Sequence, residues 1–143
     1  MVSASPLVLR PYRSADHDEV VALWQRCNLV VPANDPTHDI ALKLAFQPSL
    51  FFVGTIDERI VATVMAGYEG HRGWINYLAV SPEAQRRGLG RQVMAHAEEA
   101  LRQLGCPKAN LQVRASNTDV VKFYERLGFT IEDRVSMGKR LSS

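Results

Sequence analysis

The chain has 143 residues, of which 46% are hydrophobic and 22% charged; these values are ordinary for one globular domain and exclude a disordered chain. Its 17 basic and 15 acidic residues give a formal net charge of +2, which is too small to indicate a nucleic-acid or membrane partner. No run of about 18 apolar residues and no signal-peptide pattern occurs, so we expect a cytoplasmic protein that does not span a membrane.

The first half of the chain begins with helical periodicity and ends with strand periodicity. A short strand is predicted at residues 7–10, and a helix near Asp16, because Asp16 and Glu19 have capping-box spacing. Residues 28–36 form a loop rich in turn residues, and a second helix follows over about 37–46. The predicted inward residues are Val20, Leu23, Trp24 and Cys27 in the first helix and Ile40 and Leu44 in the second.

The second half predicts a sheet and two further helices. Residues 50–56 and 60–68 form a hairpin, and residues 74–80 form a third strand at the centre of the sheet. A helix over about 88–104 ends at Gly105, and its predicted inward stripe is Leu89, Val93, Ala97, Ala100, Leu101 and Leu104. A last helix runs from Asn117 or Thr118 to Leu127 and is closed by Gly128. The remaining predicted strands are 110–113, 129–132 and 135–141. The order β-α-α-β-β-β-α-β-α-β-β is typical of a single α/β domain, and no linker divides residues 1–143.

The segment from Gln85 to Arg91, termed the 85–91 loop, carries the strongest functional pattern. It reads QRRGLGR, follows a strand and opens a helix. The first turn of a helix has unpaired N–H groups and a positive dipole end, and glycines let a diphosphate approach them. Arginines at this end oppose the helix dipole by roughly 0.3–1 kcal/mol each, so an anion is the expected partner. A solvated arginine-rich turn is the alternative.

Three motifs together resemble the GNAT N-acetyltransferase superfamily. QRRGLG resembles its Q/R-x-x-G-x-G/A signature, WINYLAV its central strand, and LQVRASN followed by FYERLGF its second half. The resemblance covers nearly the whole chain and implies a mixed, mostly antiparallel sheet flanked by about four helices, with acetyl-coenzyme A (acetyl-CoA) as donor. NDPTHDIALKL and GYEGHRG also resemble a subgroup of small bacterial members whose acceptor is unassigned.

The resemblance implies which residues meet the cofactor. In the family the central strand splays from the next strand and admits the pantetheine arm, so backbone groups of Leu78 and Val80 would meet the arm and the acetyl carbonyl. Asn117 resembles a pantetheine-contacting Asn, and it can also cap the last helix. The residues expected at the cofactor are Leu78, Ala79, Val80, Gln85, Arg86, Arg87, Gly88, Leu89, Gly90, Arg91, Asn117 and Tyr124.

Tyr124 is the catalytic candidate on the last helix. The family commonly places there a Tyr that protonates the leaving thiolate, and a positioned O–H would stabilise charge developing on the sulfur. Packing of a half-buried aromatic ring beside Phe123 and Phe129 is the alternative. Cys106 follows a helix end rather than opening a helix, so nothing marks it as a nucleophile, and direct attack without a covalent enzyme intermediate is expected.

The general base is the part of the site that the sequence leaves open. Many family members have a Glu where this chain has Trp74 and Gln112, neither of which can take a proton. Glu69, in the loop before the central strand, could act through water, although a solvated turn residue is the alternative. Without a strong base, a primary amine of low pKa is the easier acceptor: an α-amine is neutral roughly one time in ten at pH 7, and a lysine roughly one time in 2,500.

The acceptor site is expected where the 28–36 loop meets the central strand. Its polar candidates are Asn34, Asp35 and Tyr77, together with Glu69 and His71, and the carboxylates would suit a cationic acceptor. The partner is then a small-molecule amine or a protein α-amine, while monomer and homodimer both stay open.

Metal and redox chemistry find no support in the sequence. Cys27 and Cys106 lie far apart without C-x-x-C spacing, so we expect two reduced thiols, although one disulfide between them is possible. The histidines show no metal-ligand spacing, and we predict no metal. These histidines are His17, His38, His71 and His96.

Two other functions are carried alongside the transferase. A non-catalytic acyl-CoA sensor would keep the cofactor site without turnover; the missing Glu favours it and Tyr124 opposes it. A nucleic-acid binder would use the arginine cluster, but the low net charge and the absence of interleaved aromatic residues argue against it.

Overall fold

The structure is a computed structural model that describes residues 5–142. The chain divides after Gln112 into two compact units, the first carrying all five strands and three helices and the second carrying the last helix. The strands are β1 (Val8–Pro11), β2 (Phe51–Ile56), β3 (Arg59–Tyr68), β4 (Gly73–Val80) and β5 (Ala109–Leu111). The helices are α1 (His17–Arg26), α2 (Pro36–Leu44), α3 (Leu89–Gln103) and α4 (Thr118–Arg126).

The sheet has the strand order β1-β2-β3-β4-β5. The first four strands pair antiparallel with their neighbours, and β5 pairs parallel with β4. The predicted mixed, mostly antiparallel sheet is therefore confirmed, as are the number of helices, four, in the described residues and the order of elements up to α4. Among residues 5–142, no helix is long and apolar enough to cross a membrane.

Helices lie on both faces of the sheet. Trp24 of α1 donates its indole N–H to Thr63 Oγ1 on β3 at 2.8 Å, and Met65 packs in the same core cluster, so α1 covers the face of these residues. Gly73 pairs with Tyr68 of β3, and both residues lie on the face of the sheet opposite to Thr63 and Met65. A Cβ added to Gly73 would meet Leu101 of α3. The helix α3 therefore covers the other face.

The start of α1 differs from the prediction. Val20, Leu23 and Trp24 are fully buried as expected, but Asp16 does not cap the helix with its side chain. Its carboxylate instead accepts two hydrogen bonds from the Arg10 guanidinium at 2.8 and 2.9 Å, which lowers its pKa. Glu19 reaches across to accept the N–H of Ile60 at 2.6 Å. The predicted capping box is wrong because both carboxylates bind other parts of the fold.

Two helices end earlier than predicted, and this leaves apolar residues in solvent. In α2, Ile40 is buried, but Leu44 at the last position is 40% exposed. In α3, most of the predicted stripe is buried, together with Met94, whereas Leu104 lies past the helix end and is 51% exposed. The predicted inward positions of Leu44 and Leu104 are therefore wrong.

The two strands predicted after α4 are not found in the described part of the second unit. Ile131, Val135, Met137 and Leu141 are 77–93% exposed, and α4 is the one regular element of residues 113–142. A strand exists through pairing with another strand, and the second unit offers no strand edge. Alternating apolar residues alone do not form one, so these two predictions are wrong.

Candidate active site

The strand β4 contains a bulge at Tyr77. Met65 of β3 pairs with Asn76 and Thr63 pairs with Ala79, so β4 has one extra residue between the two pairs. Tyr77 has φ +51°, a left-handed conformation that is uncommon for a bulky residue. Such outliers persist only where the surroundings impose them, and they concentrate at functional sites.

Two buried side chains hold the bulge in place. Trp24 donates its indole N–H to Thr63 Oγ1 at 2.8 Å, and Thr63 donates its hydroxyl to the Tyr77 carbonyl oxygen at 2.9 Å. The indole of Trp24 also stacks on the Tyr77 ring at a centroid distance of 3.9 Å. The conformation of Tyr77 is thus imposed by α1 and β3.

The strand β4 separates from β5 just before this bulge. The parallel pairing runs over three residues of each strand, from Gly73 to Ile75 on β4, and β5 then ends at Leu111. From Asn76 to Val80, the edge of β4 that faces away from β3 is not paired by β5. The first unit therefore shows the opening between strands that the resemblance implied.

The N–H groups of Leu78 and Val80 point to this edge. Ser81 donates its N–H to the Val61 carbonyl on β3 at 2.7 Å. Because successive N–H groups of a strand point to alternate sides, those of Val80 and Leu78 point away from β3. The Val80 carbonyl points the same way and accepts hydrogen bonds from Gln85 Nε2 at 3.0 Å and Cys27 Sγ at 3.3 Å.

The 85–91 loop joins this end of β4 to α3. Gly88 is the residue before the helix and has φ +74°, and a Cβ there would meet no atom within 4 Å. Glycine therefore provides the left-handed turn and leaves open space beside the first N–H groups of α3. Arg86 is also left-handed, with φ +67°.

The predicted residues of the 85–91 loop have different tasks. Gln85 ties the loop to β4 through the Val80 carbonyl. Arg86, Arg87 and Arg91 are exposed at the helix start, and within residues 5–142 neither Arg86 nor Arg91 forms an ion pair. Leu89 is buried and anchors the first turn of α3. The loop thus combines open N–H groups with cationic side chains.

The predicted acceptor residues Asn34 and Tyr77 meet in one cluster with a residue that the sequence did not indicate, Asp39. Tyr77 donates its hydroxyl to Asp39 Oδ2 at 2.6 Å and accepts from Asn34 Nδ2 at 2.5 Å. Burial and the Asp39 carboxylate raise the pKa of Tyr77 to about 12. Asn34, Asp39 and Tyr77 are termed the Tyr77 cluster below.

Asp35 and Glu69 each accept hydrogen bonds from neighbouring backbone N–H groups. Asp35 accepts the N–H groups of Thr37 and His38 at 3.0 and 3.2 Å and so caps α2. Glu69 lies in the turn between β3 and β4, accepts the N–H groups of His71 and Arg72, and is fully exposed. The hydrogen bond from Arg72, followed by that from His71, lowers the pKa of Glu69.

The second unit contains the remaining predicted residues. Tyr124 is buried between Phe123 and Phe129, with ring centroids at 5.1 and 5.6 Å, and burial raises its pKa to about 12. Asn117 precedes α4 as its cap residue, yet its side chain accepts no capping hydrogen bond in the described residues. Its amide is therefore left for another partner.

The cysteines and possible metal ligands complete the description of the site residues. Cys27 and Cys106 are both free thiols, and burial raises the pKa of Cys27. No group of three or more His, Cys, Asp or Glu in the described range is placed to hold a metal ion.

A bulged strand with an open edge leads into a glycine loop at a helix start, which is the arrangement that the resemblance to the GNAT superfamily implied. The sequence profile of the Acetyltransferase (GNAT) family matches residues 17–129. Over 133 residues, the chain is 41% identical to Acetyltransferase YE1169 of Yersinia enterocolitica, covering 93% of this chain and 94% of that protein. The chain belongs to the GNAT acetyltransferase family and is an acetyltransferase.

Solved structures agree with this fold. Ard1 from Thermoplasma volcanium superposes with a TM-score of 0.80 at 21% identity, covering 88% of this chain and 84% of that chain. AAC(6')-Iy, solved in complex with the bisubstrate analog CoA-S-monomethyl-acetylneamine, gives a TM-score of 0.76 at 17% identity, covering 96% of this chain and 100% of that one. At such identities the likeness shows the fold.

Proposed function

We propose that this protein transfers the acetyl group of acetyl-CoA to a primary amine, of a small molecule or a protein N-terminus, by direct attack on the thioester. The observation that carries the proposal is the open edge of β4, where the N–H groups of Leu78 and Val80 lead toward the 85–91 loop. The family uses acetyl-CoA, and the AAC(6')-Iy structure contains a CoA conjugate.

The residues of the first unit fit acetyl-CoA. The N–H groups after Gly88 and the side chains of Arg86 and Arg91 would hold the diphosphate, because helix starts and guanidinium groups both bind phosphate. The N–H groups of Leu78 and Val80 would hold the amides of the pantetheine arm and polarise the acetyl carbonyl. Acetyl-CoA supplies an activated acyl group, so the protein's task is to bind and orient it.

Tyr124 and Asn117 are proposed to complete the cofactor contacts. During transfer, the acceptor nitrogen forms a bond to the acetyl carbon, the carbon–sulfur bond breaks, and the proton lost by nitrogen is balanced by protonation of the thiolate. Tyr124 would donate the hydrogen bond to the departing sulfur. Its raised pKa keeps the phenol protonated at neutral pH, as a donor requires.

The acceptor must lose a proton before it attacks. Glu69 would reach it only through water, and its lowered pKa makes it a weak base. An amine of low pKa, such as an α-amine, is neutral often enough to react without a strong protein base. We therefore propose that the acceptor nitrogen loses its proton to solvent, with Glu69 assisting at most through water.

Thiol release from acetyl-CoA, measured against a panel of primary amines, tests the proposal. We expect turnover with one class of amine. Tyr124→Phe should lower kcat by about a hundredfold or more while the Kd for acetyl-CoA stays the same. Tyr68→Phe is the matched control, since Tyr68 donates its hydroxyl to the exposed Gly70 carbonyl at 3.2 Å. Binding of acetyl-CoA without release for any amine would contradict the proposal and favour the sensor.

A further inference from the structure

Two side chains of opposite charge on α2 point toward the sheet. Asp39 and Lys43 are four residues apart, a spacing at which such residues commonly pair. Here Asp39 Oδ2 accepts the Tyr77 hydroxyl at 2.6 Å, and Lys43 donates its ammonium to the Ala66 carbonyl at 2.5 Å. Within residues 5–142 no salt bridge joins them, so the two charges are held apart.

The ammonium group of Lys43 lies close to Gly67 of β3, a residue that has no side chain. A Cβ on Gly67 would lie 3.6 Å from Lys43 Nζ and 3.8 Å from Gln47 Oε1. Gly67 pairs with Trp74 on β4, so the indole stands beside this position on the same face, and it is 40% exposed.

The charge of Lys43 has no counter-ion in the described structure. The side chain is half-buried, and this burial lowers its pKa to about 8. Within residues 5–142 its one hydrogen bond goes to a neutral carbonyl, and its Nζ lies 5.9 Å from the centroid of the Phe46 ring; neither contact supplies a negative charge. A desolvated cation is costly, and a bound anion would offset that cost.

Asp39 offers the complementary charge. Its Oδ2 is used by Tyr77, while Oδ1 accepts no hydrogen bond from residues 5–142. Four residues of helix separate the two side chains by about 6 Å along the axis. Both belong to the same side of α2 as the Tyr77 cluster and the bulge of β4.

We infer that the acceptor is an amine that also carries a carboxylate, with Lys43 binding the carboxylate and Asp39 accepting a hydrogen bond from the neutral amine once its proton has passed to solvent. Free amino acids are the simplest members of this class. The inference rests on the proposed function and narrows its acceptor. Lys43 and Asp39 bind and orient the acceptor, while the bond changes are those described above.

Paired substrates test this inference. Each free amino acid is compared with its own carboxamide, in which the carboxylate charge is removed and the amine pKa is lower. Because the amide has more neutral amine at pH 7, a preference for the free acid reports recognition of the carboxylate. We expect the wild type to favour the acid in kcat/KM by about ten- to a hundredfold, the range for a hydrogen bond between charged groups.

Variants assign this preference to Lys43. Lys43→Gln should raise the KM of the free acid and bring the acid-to-amide ratio near one, whereas Lys43→Arg should keep most of the preference. Lys108→Gln, which changes an exposed lysine in the loop before β5, is the matched control. The Kd for acetyl-CoA should stay the same in all three variants, which also shows that they fold.

The two proposals fail in different ways. If amides or simple amines are acetylated as well as free acids, or if Lys43→Gln behaves like Lys108→Gln, the inference is overturned and the proposed function stands. If acetyl-CoA binds but no amine in the panel is acetylated, both fall.

Discussion

The two candidate functional parts of the first unit are built in different ways. The 85–91 loop depends on local features: Gly88 in a left-handed conformation, the start of α3, and arginines within a few residues of each other. The Tyr77 cluster joins residues that are 38 and 43 positions apart in the chain. The comparison explains why a short motif can indicate the proposed donor site, whereas the residues of the proposed acceptor site come together only when the chain folds.

The largest expected effect is on the 85–91 loop. Gly88→Val should weaken acetyl-CoA binding by roughly a hundredfold, because a β-branched residue is strained at φ +74° by about 1–3 kcal/mol and its side chain enters the open space. Gly70→Val is the matched control, since Gly70 has φ +102°, also faces open space and lies in the β3–β4 turn. Calorimetric titration compares them. Equal loss in both variants would show that strain, and not the loop, is responsible.

The arginines should have a smaller effect that depends on salt. Arg91→Ala or Arg86→Ala should each raise the Kd for acetyl-CoA by about tenfold at low salt, and less at high salt, since exposed charges are screened. Arg102→Ala, at the other end of α3, removes exposed ion pairs with Glu98 and Glu99 and should leave the Kd unchanged. If Arg102→Ala weakens binding as much as Arg91→Ala, general charge rather than the loop attracts the cofactor.

A change in the Tyr77 cluster should weaken binding of the acceptor amine and leave binding of acetyl-CoA unchanged. Tyr77→Phe removes the hydrogen bonds to Asn34 and Asp39, and should raise the KM of the acceptor about fivefold and lower the free energy of unfolding by about 1 kcal/mol. The Kd for acetyl-CoA should stay the same. Steady-state kinetics and denaturant unfolding measure both, with Tyr68→Phe as control. An equal change in the Kd for acetyl-CoA would show that the Tyr77 cluster and the 85–91 loop do not bind different substrates.

The smallest effect concerns pH. The pKa of Tyr77, raised to about 12, lies above the usual value near 10, so its contribution to stability is complete below pH 10 and is lost as the pH rises toward 12. The difference in unfolding free energy between the wild type and Tyr77→Phe should thus be constant from pH 6 to 10. Urea unfolding across this range checks it. A difference that already vanishes at pH 9 would mean that burial and Asp39 do not raise this pKa.

The sequence predicts most of the fold because its periodic segments coincide with buried faces. Val20, Leu23 and Trp24 repeat at helical spacing and are all fully buried. The same approach fails where pairing or burial depends on distant partners. Residues 129–141 alternate like a strand but have no strand to pair with in their unit, and Asp16 has cap spacing but binds Arg10.

In the candidate site, too, the sequence predicts some features and not others. The QRRGLG motif predicts the glycine turn at the start of α3, and the Tyr77–Asn34 contact agrees with the expected meeting of loop and strand. Asp39 and Lys43 lie within the NDPTHDIALKL segment, but that resemblance assigned them no role, and only their spacing of four residues on one helix, beside the buried Ile40, could have indicated them. The sequence does not predict the bulge at Tyr77 either, because α1 and β3 impose it through Trp24 and Thr63.

Amide hydrogen exchange with and without acetyl-CoA tests the central claim most directly, because it reports on individual N–H groups of β4. We predict that acetyl-CoA slows the exchange of Leu78 and Val80 and of the residues after Gly88, while the turn at Gly70 is unaffected. Unchanged exchange at Leu78 and Val80 in protein saturated with acetyl-CoA would contradict the account, since the open edge of β4 would then not hold the donor.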